Sequence, residues 1–116
     1  VETCVLKTIL AVIRPHKLNA VRESLQQVEV TRMTVADALG YAEIPKSGEE
    51  SQPWDLAQRV VMKIVVNDDF LEKTLHMVTQ TARTGTGGSP GDGKILVLPH
   101  LETIQIDSGS RGPGAV

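Results

Sequence analysis

Residues 88–95, GSPGDGKI, place Gly88, four intervening residues, Gly93 and Lys94 at the spacing G-x-x-x-x-G-K that opens the phosphate-binding loop of nucleotide triphosphatases. In that loop a strand leads in and a helix leads out, so the unpaired N–H groups of the helix face the phosphates. Here a helical period precedes the glycines and an extended one follows. The position after the lysine is Ile95, not the Ser or Thr that would hold Mg²⁺. These departures argue against a hydrolase and leave the anion-binding physics intact. Successive glycines let backbone N–H groups form a concave nest, Lys94 adds a point charge, and Arg83 and Thr84 add a cation and a hydroxyl. Residues 83 to 94 are therefore a candidate phosphate cradle, with a flexible connector as the bland alternative.

The other chemistry-bearing residues are weaker. His16, His76 and His100 fall in three separate elements without paired spacing, so surface or partner-buried histidines are favoured over a metal site. Glu49-Glu50 reads as solvation of a loop and Asp68-Asp69 as the start of a helix. Cys4, the lone cysteine, cannot form an intrachain disulfide, and nothing reads as a signal peptide, so a reducing, cytoplasmic setting is expected. Twelve Lys and Arg against fourteen Asp and Glu give a net charge of −2, which argues against nucleic acid or an anionic membrane as partner. No apolar run approaches the roughly 20 residues of a membrane span.

The elements that must position the glycine loop follow from the periodicity. At 116 residues the chain is expected to form one domain, 1–116. Its three aromatic residues, Tyr41, Trp54 and Phe70, leave the core to aliphatic side chains, which favours sheet packed on helix. Val5 to Ile13 is strand-like and is closed by Arg14-Pro15. Leu18, Val21, Leu25 and Val28 then recur at helical spacing. A second strand is expected over Val30–Leu39, ending at Gly40-Tyr41, and a long loop over 42–58, where Trp54 is exposed unless a partner or its own domain covers it. Arg59 to Val66 is a near-continuous apolar strand, Asp69-Phe70-Leu71-Glu72 a capping box, and the second helix runs to about Ala82. Beyond the glycine loop, short strands are expected at Lys94–Val97 and Leu101–Ile106, then a Gly/Ser/Pro-rich tail.

The order β-α-β-loop-β-α-loop-β is that of the α+β, ferredoxin-like βαββαβ sandwich, an antiparallel sheet with two helices on one face. Val61, Lys63 and Val65 lie on one side of the third strand and Val60, Met62, Ile64 and Val66 on the other. Both faces are thus largely apolar, and oligomerisation through the sheet would cover the open one.

Val12-Ile13-Arg14-Pro15-His16-Lys17-Leu18 resembles the I-I-R-P-F-K-L opening of PII signalling proteins, trimeric regulators of nitrogen and carbon metabolism. Met33-Thr34-Val35 with Gly40-Tyr41 is similar to their second strand. Ala82-Arg83-Thr84-Gly85 with Gly91-Asp92-Gly93-Lys94-Ile95 is similar to their B-loop, and Ser108-Gly109-Ser110-Arg111-Gly112 to their T-G-E-R-G. The resemblance implies a non-enzymatic homotrimer with nucleotide sites in the clefts between subunits, and no tightly bound cofactor. A T-loop at about 42–58 would contact a target protein, with a B-loop at about 83–94 and a C-terminal loop at about 107–116. It implies that Gly91, Asp92, Gly93 and Lys94 hold phosphates and that Thr34 and Val65 sit at the adenine. Arg83, Thr84, Gly40 and Arg59 would line the cleft, and Val12 and Tyr41 complete the nucleotide set.

The departures from the family pattern sharpen the expectation. The family's two phosphate-binding arginines fall on Gln105 and Asp107, and a carboxylate beside a polyphosphate is repulsive, so AMP or ADP is favoured over ATP. The glutamine that ligates Mg²⁺ and 2-oxoglutarate falls on Ile44, an apolar side chain that does neither. The tyrosine that some members have modified is absent, the T-loop is shorter than usual, and the B-loop carries extra residues around Thr86 to Pro90. Carbon-side members that answer to adenine nucleotides with bicarbonate lie close to this description. The alternatives are a ferredoxin-like trimeric metal-binding protein of the copper-tolerance type and, last, a small phosphoryl-transfer enzyme.

Overall fold

The computed structural model of the chain describes residues 6–43 and 54–112. In chain order it comprises strand β1 (Leu6–Ile13), a 3-10 turn (Pro15–Lys17), helix α1 (Leu18–Gln27), strands β2 (Met33–Glu43) and β3 (Trp54–Asn67), helix α2 (Asp68–Ala82) and strand β4 (Gly93–His100). The sheet order is β2-β3-β1-β4 and every pair is antiparallel. This is the expected βαββαβ sandwich.

Alternation along the strands decides what is buried. Ile9, Ala11 and Ile13 of β1 and Val60, Met62, Ile64 and Val66 of β3 meet Val21 and Leu25 of α1 and Val78 and Ala82 of α2 in one core. Ile9, Met62, Ile64 and Leu25 are fully enclosed, each worth about 1.5–3 kcal/mol relative to exposure. The opposite face carries Val61, Lys63 and Val65, as the alternation requires, and Leu96 and Leu98 of β4 stay over two-fifths exposed.

Element ends obey local chemistry. Arg14 is extended before Pro15, which opens the turn into α1. Helix α1 closes with Val30 N–H donating to Leu25 O at 2.9 Å and Glu29 N–H to Gln26 O at 3.0 Å, with Glu29 at φ 63°. That is a Schellman cap with glutamate at the left-handed position. It corrects the second strand: Val30 is buried by the cap, and the strand starts at Met33. The cap of α2 is also corrected. Asn67, not Asp69, accepts from Asp69 N–H at 3.0 Å, leaving both aspartates in the first turn where the helix dipole favours them.

Two further expectations change. The loop expected over 42–58 is narrower, because Ala42 and Glu43 continue β2 and Trp54 to Gln58 begin β3. Pairing runs from Ala38 opposite Arg59 to Glu43 opposite Trp54, past the last β1–β3 pair, Ile13 with Val60. At about 3.4 Å per residue this two-stranded ribbon projects ~20 Å from the sheet. Ile44, Glu49 and Glu50 lie outside the described residues, as do Cys4, the last four residues and the side chains of Tyr41 and Trp54. The second correction is at the C-terminal end. β4 extends to His100, with Pro99 tolerated on an edge strand, and Leu101–Ile106 forms no strand. Leu101 and Ile106 are almost fully exposed, and in place of a strand ladder the segment makes an isolated bridge between Ile104 and Arg111. Its apolar side chains find no sheet or helix to pack on among the described residues.

Candidate functional site

The glycine loop runs from the end of α2 into β4, so a helix leads in and a strand leads out. Gly85, Gly88, Gly91 and Gly93 all have positive φ. Gly93 is the most constrained: a Cβ there would lie 1.8 Å from Val12 O, so only glycine lets β4 pair this closely with β1.

Asp92 organises the loop. Its carboxylate accepts from Thr84 Oγ1 at 2.6 Å, Thr84 N–H at 2.9 Å, Ser89 N–H at 2.8 Å and Arg14 Nε at 3.1 Å. The Thr84 hydroxyl, then the Thr84 and Ser89 amides, with a smaller contribution from Arg14, hold this carboxyl well below the usual carboxylate range against a modest desolvation effect. Gly88 N–H to Thr84 O and Asp92 N–H to Ser89 O close the turns. Two arginines fasten the loop to the sheet: Arg14 Nη2 donates to Pro90 O at 3.1 Å, and Arg59 Nη2 to Gly91 O at 3.0 Å.

This sorts the cations around the loop. Arg14 and Arg59 hold its backbone. Among the described residues, the charged ends of Arg83 and Lys94 have no ion-pair or hydrogen-bond partner, and the Gly91 N–H is likewise without an acceptor. Two free cations and an unpaired amide are what an incoming phosphate requires. Beneath the loop, between the last turn of α2 and β4, lies a cavity of about 600 Å³ lined by Val78, Ala82, Arg83, Gly88, Asp92 and Ile95, among others.

The sequence-derived candidates fall into three groups. Val12 pairs with Lys94 and joins Arg83, Thr84, Gly91, Asp92 and Gly93 at the loop. Gly40, Tyr41 and Arg59 lie on the ribbon, opposite Ala57, Leu56 and Ala38, and Arg59 brings the ribbon base to the loop. Thr34 and Val65 stand apart, in a second cavity, on the open face toward the other end of β3. From Arg59 to Val65 the strand advances by about 20 Å. One chain therefore does not gather all twelve candidates into one site.

The sequence reading missed Arg14 as a loop-holding residue, although Arg14-Pro15 was visible as a cation at a strand end. Ser89 was not separable from the other loop residues. Gln105 and Asp107 sit in a closed C-terminal turn, where Gln105 N–H donates to Ser110 O and Gly109 N–H to Gln105 O. Arg111 braces that segment through a bidentate pair with Glu102, at 2.5 and 2.7 Å. His100 is held between Thr8 and Thr103, and no three His, Cys, Asp or Glu side chains converge among the described residues.

Comparison with known proteins agrees with this fold. Residues 6–110 match the family described as Nitrogen regulatory protein P-II. The chain is 38% identical to the nitrogen regulatory protein GlnK1 of Methanosarcina mazei, covering 96% of this chain and 97% of that one. It is 32% identical to the nitrogen regulatory protein P-II of Azospirillum brasilense, covering 96% and 100%. The fold superposes on Arabidopsis thaliana PII bound to citrate with a TM-score of 0.79, at 31% identity, covering 97% of this chain and 94% of that one. The B. subtilis GlnK-ATP complex gives 0.78 at 28% identity, covering 97% and 98%. With the family's match running from β1 through the glycine loop into the C-terminal turn, the chain belongs to the nitrogen regulatory protein P-II family of signalling regulators.

Proposed function

We propose that this regulator binds adenine nucleotide, AMP or ADP ahead of ATP, in clefts between the subunits of a homotrimer. The occupied cleft then sets the conformation of the 42–58 segment for a target protein in carbon or nitrogen metabolism. The observation that carries the reading is the 3.0 Å contact from Arg59 to Gly91 O, because it ties the base of the ribbon to the backbone that would meet phosphate. A phosphate drawn to the Gly91 N–H, Lys94 and Arg83 acts on the residue whose carbonyl Arg59 grips, one peptide unit further along. Nucleotide binding and ribbon geometry are then linked, and a nucleotide that binds one ribbon conformation better shifts the population toward it.

The cleft follows from the separation of the candidates. Along the sheet from Arg59, Val65 lies about 20 Å away and Thr34, opposite Lys63, about 14 Å away. A second copy supplying its own Thr34 and Val65 beside the first copy's loop would complete the site. The half-exposed Leu96 and Leu98 on the open sheet face give such a copy an apolar surface to cover.

The ATP complex of the B. subtilis relative makes a nucleotide the natural ligand class. The preference for fewer phosphates rests on Gln105 and Asp107, which stand where the family carries two phosphate-binding arginines, and Ile44 argues against 2-oxoglutarate with Mg²⁺. Bicarbonate is the proposed co-ligand. Calorimetric titration with AMP, ADP and ATP, each with and without bicarbonate and 2-oxoglutarate, tests the set. Binding of AMP or ADP ahead of ATP is expected, and tightest binding of ATP with Mg²⁺ and 2-oxoglutarate would refute the preference.

A further inference from the structure

Thr34 and Val65, the residues proposed to sit at the base, share a cavity of about 400 Å³ with Lys63 and with Thr103 of the segment after β4. Sheet geometry brings them together. Lys63 is the direct cross-strand partner of Thr34, and Val65 lies two residues further along β3, so the three side chains stand on the same face, away from the helices. Lys63 is exposed, and among the described residues its ammonium has neither an ion-pair nor a hydrogen-bond partner. Thr103 is already engaged by His100 Nε2 at 2.6 Å, and Arg32, which also lines the cavity, has an interaction of its own. Lys63 is thus the cation left to meet what enters.

An ammonium donates three hydrogen bonds and accepts none. Adenine presents an amino donor at its 6-position beside the N7 acceptor, an edge matched by an amide side chain. Guanine and hypoxanthine present an oxygen acceptor there beside N7, the edge that lysine reads. We infer that Lys63 is a specificity-determining residue of the base subsite and that it opens this site to 6-oxopurine nucleotides. Adenine remains a ligand through its ring-nitrogen acceptors, while a 6-oxo group adds a second acceptor for Lys63. The inference rests on the nucleotide reading above and adds to it the class of base.

The test is calorimetric titration of ADP, GDP and IDP into the whole chain and into Lys63→Gln, a surface strand position where the amide reverses the donor pattern. IDP lacks the 2-amino group of GDP and so isolates the 6-position. The wild type is expected to bind GDP and IDP within about fivefold of ADP, and Lys63→Gln to favour ADP over both by about tenfold. ADP binding by the wild type with GDP and IDP weaker than that margin overturns the inference alone. So does a Lys63→Gln variant whose GDP-to-ADP ratio equals that of the wild type. Absence of binding by all three nucleotides overturns the nucleotide reading and the inference with it.

Discussion

The carboxylate of Asp92 receives donors from Thr84, Ser89 and Arg14, which gives the loop a pH dependence with a definite sign. Its folded value is depressed, so its contribution to stability is fully present above the unfolded carboxylate value, about 3.9, and is lost as pH falls from there toward the folded one. Asp92→Asn is expected to flatten that acid limb in denaturation midpoints measured from pH 6 to pH 2, and an unaltered limb would count against the role given to this carboxylate. Lys94 is the converse case, a cation at the start of β4 with no ion-pair or hydrogen-bond partner for its ammonium among the described residues. Lys94→Ala should weaken ADP binding by about tenfold or more while changing stability by less than about 0.5 kcal/mol, read by calorimetry and by chemical denaturation. A large loss of stability with intact binding would reverse the assignment. Gly93→Ala should lower stability by roughly 2–4 kcal/mol, because its methyl meets the Val12 carbonyl, a backbone atom that cannot swing away.

Among the elements, the end of α1 carries a cost that can be removed. Glu29 occupies the left-handed position of the cap, where a Cβ is disfavoured by roughly 1–2 kcal/mol. Glu29→Gly is expected to raise stability by about 0.5–1 kcal/mol after the greater freedom of the unfolded glycine chain is counted. An unchanged or lower urea midpoint would show that the cap is not strained. The same element shows where the sequence is legible. The amphipathic spacing of Leu18, Val21 and Leu25 marked α1 directly, but Val30 continued the apolar pattern past the cap and read as strand, since nothing in the residue types announces a glutamate at positive φ. Leu101–Ile106 misled for a related reason: apolar alternation marks a face to be covered, and no described residue of the same chain covers it. The ribbon was read as loop because Trp54 to Gln58 carries no hydrophobic period, although β2 pairs with it residue by residue.

At the scale of the molecule, the βαββαβ order and the glycine loop were visible in sequence because both are encoded locally, by period and by glycine spacing. The grouping of candidates was not, because it depends on register: only the strand pairing shows that Thr34 and Val65 lie far from Arg59 along one sheet and beside Lys63. That separation calls for a second copy, and with the homotrimer proposed above sedimentation equilibrium of the free protein is expected to give three copies, whereas a monomer at micromolar concentration would leave the base and phosphate sets with nothing to join them. The central claim is that a nucleotide at residues 83–94 is reported to the ribbon through Arg59. Amide hydrogen exchange with and without ADP, followed by peptide over residues 38–43, 54–60 and 83–94, tests it most directly. The account predicts slowed exchange in the loop and in the ribbon together, with the ribbon response lost in Arg59→Gln, whereas protection of the loop with an unchanged ribbon would contradict it.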